Sequence, residues 1–326
     1  MKGILTALYV VTFFCGSIFA QDKISIATEF NTHAAAFYVA LDKGFFDREQ
    51  LKIKSYEAYV TGVALASSLK RGDIEAAFIC LPPTITSFVN GGVKLRIISG
   101  LHLYGYGLVS DGDKIKHPRD LEKKGLKIGC VREGSGTDLI LRKTVEKYRL
   151  NEDVVLSSVL RMNPPNMLFA LKSGSLDACF LPEHYLSLAE KEGFKIILTA
   201  KDIWPDFLGS VLVVKNEVLE KKPKAVRSLN VAIKKATEWI ITNKEDSARI
   251  IAKYLTFEAQ RSGFVEKLDP KTKLSVTENE IRASMSRVIF TNDVNRDVVQ
   301  DVINFMDRKG YLKGRVAAKD LIYTGF

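Results

Sequence analysis

Six residues, Arg132-Glu133-Gly134-Ser135-Gly136-Thr137, carry the strongest chemical signal in this sequence. They follow an apolar run over 127–131 and lead directly into a helical pattern over 138–148. Glycines let backbone amides approach a ligand, a Ser or Thr hydroxyl caps the helix, and the unpaired amides of a first turn favour negative charge. The chemistry on offer is capture of an acidic or strongly polar group, to which the helix dipole adds about half a positive charge and Arg132 a whole one. An ordinary capped loop has the same composition, so the reading draws weight from a counterpart earlier in the chain. There the apolar run 24–27 ends in the polar loop Thr28-Glu29-Phe30-Asn31-Thr32-His33, which opens onto an apolar helix over 34–42 stopped by Gly44. Both loops leave the carboxyl end of a strand, where open α/β sheets hold ligands.

Two further stretches reach the same edge. Pro82-Pro83-Thr84 and Pro182-Glu183-His184-Tyr185 each follow a short apolar strand pattern, over 76–81 and 178–181. Candidate ligand contacts are therefore Thr28, Glu29, Asn31, Thr32, His33, Pro82 and Thr84 from the first half. The second half supplies Arg132, Ser135, Gly136, Thr137, Glu183 and His184.

The elements that position these residues repeat. LKRGDIEAAF at 69–78 and LKSGSLDACF at 171–180 are identical at five of ten positions, with a constant offset of 102 residues. Each runs from a helix end through a Gly stop into a strand. The reading is α/β, with two similar lobes joined by two crossings; one large sheet with a recurring βαβ unit is the rival. Lobe one takes 21–106 and 210–326, and lobe two 107–209. The first crossing falls over 100–107, where Tyr104 and Tyr106 either line a cleft or pack, and the second at the apolar run 210–214. Strands are expected at 51–56 and 154–159, helices at 62–69, 85–89 and 165–171. Amphipathic helices over 223–242, 244–254, from the capping-box pattern at Thr277 to Glu280, and over 294–309 are expected to brace lobe one.

A chain of 326 residues with 46% hydrophobic and 26% charged residues has a globular profile. The net charge of +10 comes from basic residues scattered along helical faces, without an Arg-rich block interleaved with aromatics, so nucleic acid is not an expected partner. Residues 1–20 have the order of an export signal: Lys2, an apolar stretch, then Ala20 before the polar Gln21-Asp22-Lys23. Export would leave Cys80, Cys130 and Cys179, all in apolar strand patterns. Three buried thiols are expected, with a Cys130 to Cys179 bond as the alternative. No GxxxxGK[ST], HExxH or GxSxG motif occurs, and His33, His102, His117 and His184 show no ligand spacing. Neither metal, cofactor nor catalytic set is expected.

Val39-Ala40-Leu41-Asp42-Lys43-Gly44-Phe45-Phe46, the LKxGxxDA segment, Asp120-Leu121 ahead of Lys127-Ile128-Gly129, and Asp202-Ile203-Trp204-Pro205 ahead of 211–214 together resemble the family of periplasmic solute-binding proteins for nitrate, sulfonates, taurine and thiamine-pyrimidine precursors. The likeness covers about 23–254. It implies a two-lobed type II periplasmic-binding-protein fold that closes on a small polar or anionic organic solute and delivers it, as a monomer, to an ABC-type membrane permease. A ligand-sensing module for a membrane receptor is the same device with another partner. Related pyrimidine-precursor synthases share the fold but use a cysteine-rich motif and iron, and this chain has no such motif. Two departures bear on substrate. Of the Asn-Thr-Asn-His string of pyrimidine-precursor binders, Asn31 and Thr32 match, while His33 and Ala34 replace the rest. Where relatives have Glu-Pro after the second DA strand, this chain has Glu183-His184.

The signal organisation predicts a mature, exported protein that begins at Gln21. Amino-terminal sequencing checks it; a cytoplasmic protein that retains Met1 overturns it.

Overall fold

A computed structural model describes residues 22–72, 74–261 and 276–326. The export-signal reading of 1–20 lies outside the described residues. In chain order the strands are β1 (Asp22–Glu29), β2 (Leu51–Tyr59), β3 (Ala76–Cys80), β4 (Leu95–Tyr104), β5 (Tyr106–Ser110), β6 (Ile128–Cys130), β7 (Val159–Arg161), β8 (Ala178–Pro182), β9 (Lys195–Thr199), β10 (Leu208–Lys215) and β11 (Val288–Phe290). They form two separate sheets, ordered β11-β4-β10-β3-β1-β2 and β7-β6-β8-β5-β9. With β11 set aside the sheets have one plan. A central strand pairs in parallel with two neighbours, and an antiparallel strand follows, β10 in the first sheet and β5 in the second.

The repeat owes its acidic residue to a shared bond. Glu75 accepts a hydrogen bond from the Ser25 amide at 2.8 Å, and Asp177 accepts one from the Lys127 amide at 2.8 Å. Each carboxylate thus ties the entry of β3 or β8 to the start of the neighbouring parallel strand. A lysine completes each tie: Lys222 lies 2.6 Å from Glu75, and Lys114 pairs with Asp177.

The chain passes between the sheets at Tyr104-Gly105, where both residues are left-handed (φ 66° and 88°), and again at the start of β10. Glycine tolerates that conformation freely and tyrosine does not, so the turn at Tyr104 is held by its surroundings. The Tyr104 amide donates to the Phe207 carbonyl at 2.8 Å, which laces the two crossings together.

Three expectations need correction. Residues 154–159 are not a strand: helix Glu152–Ser157 occupies most of them and β7 begins only at Val159. Asn151 accepts from the Val154 amide, and Glu152 and Asp153 fill the first turn, so the capping signal outweighs the β preference of Val154-Val155. The helix expected at 85–89 starts at Leu81, because prolines fit a first helical turn, and this places Pro82, Pro83 and Thr84 inside it. Finally, the carboxyl-terminal segment braces both sheets and not the first alone. Helix Glu278–Ser286 packs on helix Tyr185–Lys191, and the ion pairs Arg287 to Glu183 (2.7 Å) and Lys191 to Glu280 (3.3 Å) cross with it. On the other flank, Trp204 donates to Asp301 (2.8 Å), Lys309 pairs with Glu152 (2.7 Å) and Tyr311 donates to Asp138.

Cys80, Cys130 and Cys179 are buried and free, so Cys130 and Cys179 are not joined. Burial raises all three thiols, Cys130 to about 12. His184 is 1% exposed against Tyr185 and Phe30, and burial, with His33 adding repulsion, pushes its pKa down to about 3. The folded state therefore keeps this ring neutral while the unfolded chain takes up a proton below about pH 6.5. Stability from this source is full above about 6.5 and is lost as pH falls toward 3, at about 1.4 kcal/mol per unit. His184→Gln should remove roughly 2 kcal/mol of the loss between pH 7 and pH 5, read from urea midpoints. An unchanged pH slope in the variant would sink the assignment.

Candidate functional site

β1, β3 and the start of helix Gly62–Leu69 meet at one edge of the first sheet, opposite the start of helix Gly136–Tyr148 from the second. Between them lies an inner cavity of about 20 Å³, room for little more than one water molecule. Glu29, Asn31, Thr61, Gly62 and Cys80 line it from one side, Ser135, Gly136 and Thr137 from the other, and Tyr106 from the crossing. A wider chamber of about 490 Å³ adjoins it through Val60, Thr61 and Val131 and is rimmed by Arg132, Arg161, Asn163 and Asn166. Its volume is that of an ordinary small-molecule site.

Glu29 ends β1 and is 3% exposed. Its Oε1 accepts from the Cys80 amide at 2.6 Å and its Oε2 from Asn31 Nδ2 at 3.1 Å. His33 Nδ1 lies 3.4 Å from Oε2, an ion-pair separation too long for a good hydrogen bond. Burial pushes the carboxyl pKa up, but His33 and the Cys80 groups together hold it below the usual value. A side chain at Gly62 would overlap Oε1 and come within 2.5 Å of Cys80 Sγ, so glycine alone lets the helix start at Gly62 approach the carboxylate. Thr61 caps that helix by accepting from the Ala64 amide at 3.2 Å.

The facing helix start is built in the same way. Ser135 Oγ accepts from the Asp138 amide at 3.2 Å and lies 3.1 Å from Thr137 Oγ1, toward which Cys130 Sγ points at 3.7 Å. Asp138, fully buried, accepts from the Gly134 amide (3.0 Å) and Tyr311 and forms an ion pair with Arg161 (2.7 Å). The chain's own carboxylate thus takes part of the amide cradle expected for a ligand. The Gly136 amide faces the Cys80 thiol across the cavity, and a β-carbon at Gly136 would lie 2.5 Å from the Tyr106 ring. Tyr106 OH donates to the Gly209 carbonyl at 3.3 Å, so the ring stands where both crossings and both lobes touch.

The residues singled out in the sequence divide accordingly. Glu29, Asn31, Ser135, Gly136 and Thr137 converge on the inner cavity, and Arg132 stands exposed at the chamber with no ion pair among the described residues. The others lie elsewhere for local reasons. Thr28 is buried in the sheet, and Thr32 Oγ1 bonds Ser284 Oγ at 3.1 Å. His33 turns toward the crossing, with Nε2 3.1 Å from the Gly105 carbonyl and its ring 4.5 Å from His102. Pro82 and Thr84 are absorbed into a helix, where Thr84 Oγ1 donates to the Cys80 carbonyl. Glu183 is held by Arg287, and His184 is buried, so neither stands at the cleft mouth or on the surface. Pro182, beside them, does line the cavity. Sequence reasoning missed Thr61-Gly62, Cys80 and the commitment of Asp138. Thr61-Gly62 carried a usable signal, a Thr-Gly helix start after a strand that matches Ser135-Gly136. Among the described residues no three His, Cys, Asp or Glu side chains converge as a metal centre.

Comparison with known proteins extends this picture. The nitrate/nitrite binding protein of Nostoc sp. is 26% identical over 263 residues, 72% of this chain and 58% of that protein, so the match spans just over half of its length. The ligand binding component of an ABC-type import system from Staphylococcus aureus, solved with zinc bound, superposes with a TM-score of 0.75 at 17% identity, over 93% of this chain and 97% of that one. The periplasmic aliphatic sulphonate binding protein of Escherichia coli gives 0.72 at 16% identity, over 93% and 98%. At such identities the structures show the fold, the two-lobed α/β architecture of periplasmic binding proteins. The family model of the NMT1-like family matches residues 20–256, and the chain belongs to that family.

Proposed function

We propose that this protein is the extracytoplasmic solute-binding component of an ABC-type importer and captures a small polar or anionic organic solute between its lobes. The observation that carries the reading is a cavity walled by two separate sheets whose only strand-to-strand passages among the described residues are the paired crossings at Tyr104-Gly105 and Leu208. Two covers on one hinge can trap a ligand and release it, and such a site needs no bond-making residue. The relatives support the partner: they include nitrate/nitrite and sulphonate binding proteins and a component of an ABC-type import system.

In this reading the lobes comprise 21–106 with 210–326, and 107–209. The protein works outside the cytoplasmic membrane as a monomer, and its partner is a membrane permease. Glu29, Asn31, Arg132, Ser135, Gly136 and Thr137 contact the ligand. The rival assignments are a sensor for a membrane receptor and an enzyme related to pyrimidine-precursor synthases; the second lacks any support in the cavity's residues.

Closure is the testable property. Mass spectrometry of the natively purified protein identifies the bound solute, and the stripped protein should shrink in small-angle scattering when that solute is restored. Gly136→Ala, which sets a carbon 2.5 Å from the Tyr106 ring on the adjoining strand β5, should weaken binding at least tenfold, about 1.4 kcal/mol. Because both residues belong to the unit of the second sheet, the unliganded melting temperature should fall as well. An unchanged scattering curve at saturation counts against the two-lobed trap.

A further inference from the structure

We infer that Arg287 is a positioning residue for solute capture: with Glu183 it forms a latch beside the crossing that holds the two lobes at their closed angle. Breaking the pair loosens the cleft although neither residue lines the cavity. The inference rests on the two-lobed trap proposed above.

Each partner is satisfied across the lobe boundary. Glu183 follows β8 of the second sheet and is 1% exposed. Its carboxylate accepts from Arg287 Nε at 2.7 Å and from Nη2 at 3.3 Å, and the Ser284 hydroxyl bonds to it as well. Both donors come from the carboxyl-terminal segment, where Arg287 stands between helix Glu278–Ser286 and β11 of the first sheet. Conversely, among the described residues the Arg287 side chain bonds only to second-lobe groups: Glu183, Glu190 at 3.2 Å and Ser187. A carboxylate this buried is held only while its cation is beside it. The lobes must therefore keep the placement that joins the two groups or hand both to water.

The pair also brackets the turn between the sheets. Val288, next to Arg287, lies opposite Tyr104 in the register of β11 on β4, and the Glu183 amide donates to the Gly105 carbonyl at 2.9 Å. Arg287 and Glu183 are thus tied, one on each side, to the two left-handed residues of the first crossing. Close to an axis, rotation changes angles more than separations, and a forked guanidinium to carboxylate contact is specific in angle. Pro182, immediately before Glu183, lines the inner cavity, so the pair sets the second lobe's wall against the first. Cutting the pair leaves the cavity's own side chains unchanged. Affinity then falls through the fraction of molecules that are closed.

The chain carries its own reporter of opening. Cys80 of the first lobe lies against the Gly136 amide and the Tyr106 hydroxyl of the second, whereas the Cys179 thiol is packed inside the second lobe, 3.7 Å from the Met167 carbonyl. Labelling of the stripped mature protein by N-ethylmaleimide, located by peptide mass spectrometry, tests the latch. Cys80 should react at least about tenfold faster in Arg287→Gln and in Glu183→Gln than in the parent, with the Cys179 rate unchanged. Arg287→Lys, which keeps the charge and loses the fork, should fall between. The double variant Arg287→Gln with Glu183→Gln strands no unmatched charge and should label Cys80 no faster than the faster single variant, whereas independent damage to packing would accumulate. An unchanged Cys80 rate in either single variant overturns the latch and leaves the trap to be decided by the scattering of the parent protein. Equal acceleration at Cys80 and Cys179 shows a fold loosened as a whole and overturns the latch too. A double variant faster than both singles does the same.

Discussion

Negative charge set against helix starts is the constraint on which the cleft depends. Glu29 sits against the first turn of the helix at Gly62, and Asp138 takes the Gly134 amide over the first turn of the helix at Gly136. A buried carboxylate without partners is costly, and each of these is supplied with amides and a basic group, His33 for one and Arg161 for the other. Two glycines follow from the arrangement, because Gly62 must admit Glu29 and Gly136 must admit Tyr106. Gly62 is thus fixed by packing a carboxylate into a tight turn, and Gly136 by an aromatic ring, before any ligand arrives.

The fold was largely legible because its signals are local or periodic. The repeated LKxG segments mark the two equivalent strands β3 and β8, and their acidic residue makes the same backbone bond in each. The strand-loop-helix order around Glu29 and around Ser135 could be read for the same reason. What escaped was decided by distant residues. Nothing near His184 announces that Phe30, far back in the chain, will pack against it, and nothing near Glu183 announces Arg287, 104 positions away. The anion cradle was visible as a set of amides, but its occupation by Asp138 depends on Arg161 and Tyr311 from two other segments. Helix Glu152–Ser157 is a different case, in which a capping Asn and two acids won a contest with two valines.

Family and ligand are separate questions here. Membership follows from a match over most of the chain, whereas specificity lives in a few side chains at the loop ends. This chain combines a buried acid at the inner cavity with an exposed arginine at the adjoining chamber that has no ion pair among the described residues, and these are features of the chain itself and not of relatives about a quarter identical. The carboxyl-terminal segment adds a further restraint on the proposed closure, since its ion pairs on both flanks would have to travel with the second lobe or part.

The shared strand plan has a consequence for biosynthesis. Strands β1 to β5 and β6 to β10 are two equivalent runs of five, yet β5 completes the sheet of the later run and β10 the sheet of the earlier one. The molecule is arranged like a pair of protomers that have exchanged a strand and been fused into one chain. While it is being synthesised, β3 and β4 therefore stand apart with unsatisfied edges until residue 215 has emerged, because β10 must slot between them. Neither sheet can be finished by its own half, so nascent first halves present open edges to one another, and shielding from a chaperone matters most over the stretch between the two passages.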